Sequence, residues 1–364
     1  MPKPHQVPPN PDELEISIFG PGKGECVLLH IGDNEWCVID SCIARGRTGP
    51  LALEYLSQFP NAVENVRLVL ATHWHDDHIN GLATILRAAH SAEFCCSVAL
   101  KQDEFLTLVE SSAQALTGKS GVEEFSRVLE ELKARGPIPP TFAVENRRLK
   151  HFPGQGRSFP FSLTALSPSD LSIKLALQEI AGLMPKAGGA QLRIPNRSPN
   201  HASVVLWVEA AGIRVLLGAD LEQTGNAGEG WTAVVNCHQD TVPARFFKVP
   251  HHGSKGADHQ DVWDKMLEPN PVAVITPFNA GNVRLPKESD LERLATRTDQ
   301  LYCTNRGAGK SPARDRGIER EMRLQVPDRR VIEGQPGHVR IRFSTTDTAS
   351  GPDVELFNGA YQFT

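Results

Sequence analysis

The sequence predicts a mixed α/β fold, on three observations. Strand-like and helix-like stretches alternate through roughly the first hundred residues. One apolar run, Val66–Leu70, is short and unbroken, as in a strand covered on both faces. After a Pro-, Gly- and Ser-rich middle the alternation returns at Ser203 and continues into the tail.

In chain order, Glu15–Phe19, Cys26–Ile31 and Trp36–Ile39 read as successive strands, broken by Gly-rich or Asp-Asn turns. Leu51–Phe59 carries helical spacing. Val66–Leu70 ends at the polar cluster Thr72–Asn80, and Gly81–Ala89 resumes as a helix. Val122–Ala134 is amphipathic and is stopped by Gly136–Pro140. Residues 152–200 hold one helical island near Leu171–Leu183, so roughly 101–200 reads as an insertion lying over the core, where substrate-shaping elements often sit. Ser203–Glu209 and Ile213–Leu217, joined by Ala210–Gly212, have the pattern of a β-hairpin. Arg245–Val249 and Val272–Thr276 are further strands and Glu288–Ala295 a helix. The tail alternates at Glu321–Val326, Val339–Phe343 and Val354–Phe357. No repeat of solenoid period is present. The expected organisation is a disordered lead over residues 1–12 and a single domain over 13–364.

Composition bounds the function. With 364 residues, 40% of them hydrophobic and 22% charged, the chain can bury one sizeable core. A formal net charge of -5 excludes a global basic field of the kind that grips long nucleic acids, while leaving room for a locally positive cleft. No stretch approaches the roughly 18 to 20 apolar residues of a membrane span, and the N-terminal MPKPHQVPPNPDE lacks an apolar signal core. The expected location is the cytoplasm. The cysteines, Cys26, Cys37, Cys42, Cys95, Cys96, Cys237 and Cys303, are odd in number and form no C-x-x-C pair, so they read as free thiols in a reducing compartment.

The chemistry concentrates in Thr72-His73-Trp74-His75-Asp76-Asp77-His78, where three imidazoles and two carboxylates leave a buried strand within six residues. Packed there without a ligand, these groups would need many hydrogen-bond partners at once. A divalent metal satisfies them together, because neutral imidazoles and carboxylates are the donor set of Zn²⁺ or Mn²⁺. In extended chain His73 and His75 project to one side and can share an ion, and the following turn swings Asp77 and His78 to a neighbouring position. Three further segments stand out: Asn200-His201-Ala202-Ser203, Gly218-Ala219-Asp220, and Pro250-His251-His252-Gly253-Ser254. Asp220 alone is no more than the Asp expected of a helix cap. One of His251 and His252 reads as a metal ligand and the other as an acid, hydrogen-bonding partner or phosphate contact; spacing does not order them. Gly20-Pro21-Gly22-Lys23-Gly24 lacks the Walker spacing and reads as a turn, the alternative being that its amides or Lys23 face the substrate, with Ser254 as a second contact. The basic run Lys310–Arg323 is interleaved with acids and reads as a solvated surface.

H-x-H-x-D-H after an apolar strand resembles the signature of the metallo-β-lactamase superfamily, and the resemblance extends along most of the chain. It implies a four-layer αββα sandwich, two mixed sheets with helices outside and the metals at one edge. It also implies that Asp40, at the end of Val38-Ile39-Asp40-Ser41-Cys42, supports the metal site, that Asp220 bridges two ions, and that the His251-His252 pair supplies the late histidine ligand. The order of Phe19–Cys26, Asn200–Leu206, Asp220 and His251–Ser254 is similar to the metallo-β-lactamase-like domain of ComEC-type competence proteins, here without the membrane channel. Arg284-Leu285-Pro286 stands where those domains often carry His-Pro. His201 lies near the family's third-histidine position, either as a ligand or as a rim histidine beside a structurally meaningful Asn200.

The expected reaction is hydrolysis by a hydroxide held between two divalent ions, Zn²⁺ or Mn²⁺. One ion would take His73, His75 and His201, and the other Asp77, His78 and His251 or His252, with Asp220 between them. Asp77 and His252 are the expected catalytic groups. The competence resemblance implies a phosphodiesterase or nuclease with a nucleic-acid or phosphodiester partner and no membrane. The alternatives are a hydrolase of lactone, thioester or β-lactam carbonyls, and a metal-binding regulatory module with little turnover.

Overall fold

The computed structural model describes residues 6–101, 109, 121–136, 139–183, 200–238, 240–306, 321, 325 and 336–364. The chain opens with strands β1 (Glu13–Gly20), β2 (Cys26–Ile31) and β3 (Trp36–Ile39), helix α1 (Leu51–Leu56), strand β4 (Val66–Ala71) and helices α2 (Asp76–Ile79) and α3 (Leu82–Ala88). Strand β5 (Glu93–Ser97), helix α4 (Gly121–Ala134), strands β6 (Thr141–Ala143), β7 (Arg147–Phe152) and β8 (Phe161–Ala165) and helix α5 (Asp170–Leu183) come next. Strands β9 (Leu206–Ala210) and β10 (Ile213–Leu217), helix α6 (Gly230–His238), and strands β11 (Ala244–Lys248) and β12 (Leu267–Ile275) carry the second half. The small hairpin β13 (Phe278–Ala280) and β14 (Val283–Leu285), helix α7 (Glu288–Ala295), and strands β15 (Leu301–Cys303), β16 (Gly337–Ser344), β17 (Asp353–Phe357) and β18 (Tyr361–Phe363) complete it.

Two eight-stranded mixed sheets form, in the orders β17-β16-β1-β2-β3-β4-β5-β6 and β18-β15-β12-β11-β10-β9-β8-β7. Period-two burial explains why they stack. On β2, Val27, Leu29 and Ile31 face the other sheet, while Cys26 and Leu28 face the layer of α1, α3 and α4. On β10, Ile213, Val215 and Leu217 enter the same central core, while Leu216 joins Trp231, Val234 and Leu294 from α6 and α7 on the far side. Apolar residues on both faces of the central strands are covered by the other sheet on one side and by helices on the other, which gives the αββα sandwich. Among the described residues no helix is long and apolar enough to cross a membrane. Cys237 is exposed and the other cysteines are buried.

Several expectations need amendment. Within 101–200, β6 extends the first sheet and β7 and β8 extend the second, so these strands are part of the sandwich; residues 184–199 lie outside the described residues. In the described part of the expected disordered lead, the Val7 carbonyl accepts from the buried Arg340 and the part-buried Arg342 guanidiniums, at 3.4 and 2.6 Å. The expected strand Glu321–Val326 and the basic run 310–323 fall outside the described residues, apart from Glu321 and Gln325, which are helical.

A candidate metal centre at the strand ends

The polar groups singled out in the sequence collect where parallel strands end. The C-terminal ends of β3, β4, β10, β11 and β12 supply Asp40, His73, Asp220, His252 and Thr276, the edge at which open α/β sheets present their ligand sites. β3, β4 and β5 run parallel, as do β10, β11 and β12, so these ends point the same way.

Asp40 organises the first half of the site. It is buried with φ of 59°, a left-handed backbone that Asp tolerates better than most residues. Its Oδ1 accepts the Thr72 amide at 2.7 Å, and its Oδ2 accepts the Thr72 hydroxyl at 2.7 Å and His78 Nδ1–H at 2.7 Å. Since the Thr72 hydroxyl donates to Asp40, its oxygen accepts from His73 Nδ1–H, 2.9 Å away. One carboxylate therefore fixes two imidazoles with Nδ1 protonated and Nε2 turned away from it. The Thr276 carbonyl does the same for His252, accepting Nδ1–H at 2.8 Å.

The freed Nε2 edges meet two carboxylates. His78 Nε2 lies 3.4 Å from Asp220 Oδ1 and 3.7 Å from Asp77 Oδ2. His252 Nε2 lies 3.3 Å from the same Asp77 oxygen and 3.6 Å from Asp220 Oδ2. The rings of His73 and His78 are 4.1 Å apart and those of His73 and His75 4.7 Å apart. His73 Nε2, His78 Nε2 and Asp220 Oδ1 are all buried without a hydrogen-bond partner. Buried polar atoms are seldom left so. Three on converging imidazole and carboxylate groups fit a divalent metal ion, and Glu25, His78, Asp220 and His252 have potential ligand atoms within 4.8 Å of one another.

Electrostatics agrees with that fit. Burial, aided by the neighbouring His78 and His75, holds His73 well below the usual imidazole range, and burial also lowers His75. For His78 burial acts the same way, but Asp220, Glu25, Asp40 and Asp77 outweigh it and hold its pKa well above the usual value. His252 is likewise raised against burial, by Asp220, Asp77 and Glu25. Burial raises Asp40, whereas Asp77 and Asp220 are held below the ordinary carboxylate range despite burial, by His78 and His252. In the metal-free chain His78 and His252 therefore compete for metal with a proton. Affinity for Zn²⁺ should fall as pH is lowered, beginning above the usual imidazole range because both pKa values are raised, and binding should release protons, which calorimetry in buffers of different ionisation heat measures. An affinity that does not change with pH would contradict it.

The adjacent histidines are now ordered. His251 and His252 both have positive φ, 45° and 54°, so the two side chains leave the turn in different directions. His252 enters the cluster. His251 stays at the rim, 26% exposed, with Nδ1 3.3 Å from Glu222 Oε1 and 3.4 Å from the Ser254 hydroxyl. Asn200 donates to the same Glu222 oxygen at 2.9 Å. His201 lies between two other carboxylates, Glu179 at 3.3 Å and Glu229 at 3.7 Å, which with Glu179 foremost raise its pKa. Lys23 is exposed on the loop before Glu25.

Sequence reasoning passed over Glu25, Lys248, Thr276 and Glu222. The signal for the first two was a charge at the end of an otherwise apolar strand: Glu25 directly precedes CVLLHI and Lys248 ends ARFFK, yet both are buried. Gly24, next to Glu25, has φ of 93°, and a Cβ there would stand 2.7 Å from Cys42 Cβ and 3.0 Å from the Asp77 carbonyl. Gly24→Ala should cost about 1–3 kcal/mol of stability through strain and weaken metal binding by displacing Asp77. A thermal melt and a metal titration check both.

The chain is 33% identical over 108 residues to ComE operon protein 3 of Bacillus subtilis (strain 168), a stretch that is 30% of this chain and 13% of that protein. Among solved structures, the metallo-beta-lactamase fold protein YhfI from Bacillus subtilis is 11% identical, with 80% of this chain and 95% of that one covered and a TM-score of 0.42. Zn(2+)-bound PqqB from Methylobacterium extorquens is 12% identical, with 70% and 80% covered and a TM-score of 0.34. The family model of the metallo-beta-lactamase superfamily matches residues 19–276. That span contains Glu25, Asp40, His73–His78, Asp220 and His252, and by it the chain belongs to the metallo-β-lactamase superfamily.

Proposed function

We propose that the chain is a divalent-metal-dependent phosphodiesterase acting on nucleic acid or a nucleotide. The observation that carries the hydrolytic reading is the convergence of the His73, His78 and His252 Nε2 edges with Asp77 and Asp220, each Nδ1 being tied outward. In this reading His73, His75, Asp77, His78, Asp220 and His252 are the residues that would hold the ions. When bound, such ions supply Lewis acidity and bring the pKa of water towards neutrality. The chain's own groups do the rest. Asp77 Oδ2, at the centre of the cluster and held ionised by His78 and His252, is placed to orient an attacking water by accepting its hydrogen bond. Asp40 and Thr276 keep the imidazoles aimed. In place of the expected His252, which enters the cluster, the half-buried His251 beside Glu222 is the group we assign to protonate the leaving oxygen. The phosphodiester part rests on the likeness to competence-type domains and on the 33% identical stretch.

A second reading, a hydrolase of neutral carbonyl substrates, is favoured by the acidic rim of Glu179, Glu222 and Glu229 around His201 and His251, which repels polyanions. The two are separated by offering the Zn²⁺- or Mn²⁺-loaded protein single-stranded DNA, RNA, bis(p-nitrophenyl) phosphate, a lactone, a thioester and a β-lactam. Metal-dependent cleavage of the first three supports the phosphodiesterase. Turnover of carbonyl substrates alone overturns it.

A further inference from the structure

We propose that Lys248 and Glu25 form a buried positioning pair, which aims His252 and the Asp220 turn at the metals, and that Glu25 is not itself a ligand. The inference rests on the metal-dependent reading above. Glu25 is 2% exposed and Lys248 1%, and Lys248 Nζ lies 2.5 Å from Glu25 Oε2. The same carboxylate oxygen accepts the Thr276 hydroxyl at 2.5 Å, and the Thr276 carbonyl accepts His252 Nδ1–H. Lys248 Nζ also donates to the Ala219 carbonyl at 3.3 Å. Ala219 has φ of 44° and directly precedes Asp220, and its carbonyl takes the His251 amide at 3.0 Å. The Glu25 amide donates to the Asp77 carbonyl at 2.9 Å. The pair thus contacts the Ala219 turn before Asp220 and, through Thr276, the ring of His252, and the Glu25 backbone reaches the turn of Asp77.

Glu25 stands behind the imidazoles. It approaches His78 and His252 on their Nδ1 edges, at 3.8 Å in each case, whereas Asp77 and Asp220 face their Nε2 edges. With Nδ1 of both rings already donating, to Asp40 and to the Thr276 carbonyl, the atoms left to hold an ion would be the Nε2 edges, on the other side from Glu25. A buried ion pair seldom adds stability over apolar residues of the same volume, so a pair retained beside Asp40, Asp77 and Asp220 calls for a positional account. Lys248 meets it by bringing a fixed positive charge and a donor to the turn before Asp220.

The test compares Lys248→Met, Glu25→Gln, the Glu25→Gln/Lys248→Met double variant and Thr276→Val in the full chain. Each is titrated with Zn²⁺ and Mn²⁺ against a chromophoric chelator, and the histidine tautomers are read by ¹⁵N NMR. Each single charge variant should melt earlier than wild type, and the neutral double variant should regain its thermal midpoint. Even so, the double variant should bind metal roughly 10- to 100-fold more weakly, the scale of losses from groups that orient ligands, and the His252 Nδ1–H signal should shift or vanish. Thr276→Val, which removes only the hydroxyl link, should move the same signal and weaken binding to a smaller degree even if the charge variants fail to fold. A folded double variant with wild-type affinity and His252 signal would overturn the positioning role. Loss of one whole ion in Glu25→Gln with full stoichiometry in Lys248→Met would make Glu25 a ligand and overturn it too. A wild-type chain that binds no divalent ion would instead remove the metal-dependent reading on which the inference stands.

Discussion

Replacing Asp77 and His78 together by alanine is expected to lower metal-dependent turnover by at least about 10²- to 10³-fold, the effect of deleting one preorganised electrostatic contact in a buried site. The expectation is large because the two residues act at the same atoms. Asp77 Oδ2 is shared between His78 and His252, and His78 Nε2 also faces Asp220. With both gone, Asp220 and His252 face each other without His78, the foremost of the groups that hold Asp220 ionised. The fold should survive, since both side chains lie on a four-residue helix after β4 and neither belongs to the apolar clusters. Initial rates on whichever substrate the wild type turns over, with circular dichroism as the control for folding, decide the matter. A folded double variant with wild-type rate would place the chemistry elsewhere.

Asp40→Asn carries the second large effect, and it separates positioning from coordination. Asparagine tolerates the left-handed backbone at this position, so backbone strain does not enter the comparison. Asp40 accepts three donors, the Thr72 amide, the Thr72 hydroxyl and His78 Nδ1–H. An amide offers one oxygen and turns an NH₂ towards at least one of those donors. A buried donor left unsatisfied costs about 1–3 kcal/mol, and loss of an orienting carboxylate costs roughly 10- to 100-fold in metal affinity. The imidazoles of His73 and His78 should loosen together, because Thr72 links His73 to the same carboxylate. Thermal unfolding and equilibrium dialysis measure the two effects. Unchanged affinity in a destabilised variant would reduce Asp40 to a part of the scaffold.

How far the sequence foretold the molecule differs from element to element. Strands Cys26–Ile31, Trp36–Ile39 and Ile213–Leu217 and helix Glu288–Ala295 were legible to the residue, because unbroken apolar or amphipathic runs were bounded by turn chemistry. Strand β12 is longer than the expected Val272–Thr276: it begins at Leu267 and includes Glu268-Pro269-Asn270-Pro271, whose prolines and polar side chains carry no strand pattern. The edge strand β7, RRLKHF, is too polar to stand out in a Pro- and Gly-rich stretch, and β5 is short and opens on Glu93. At the site, the His73–His78 spacing announced itself, whereas the order of His251 and His252 depends on two consecutive positive φ values, which no spacing rule encodes. Glu25 and Lys248 meet across strands β2 and β11, more than two hundred residues apart in the chain. A contact of that separation leaves only a faint local trace, a charge at the end of an apolar strand.

Whether these converging side chains bind divalent metal is read by counting the ions. Metal-free protein would be dialysed against Zn²⁺ and against Mn²⁺, and bound metal counted per chain by elemental analysis, with the Asp77→Ala/His78→Ala variant alongside. About two ions per wild-type chain are expected, with a clear loss of at least one in the variant. Wild-type protein that retains no ion, or a variant that retains as many as wild type, would contradict metal binding by these side chains.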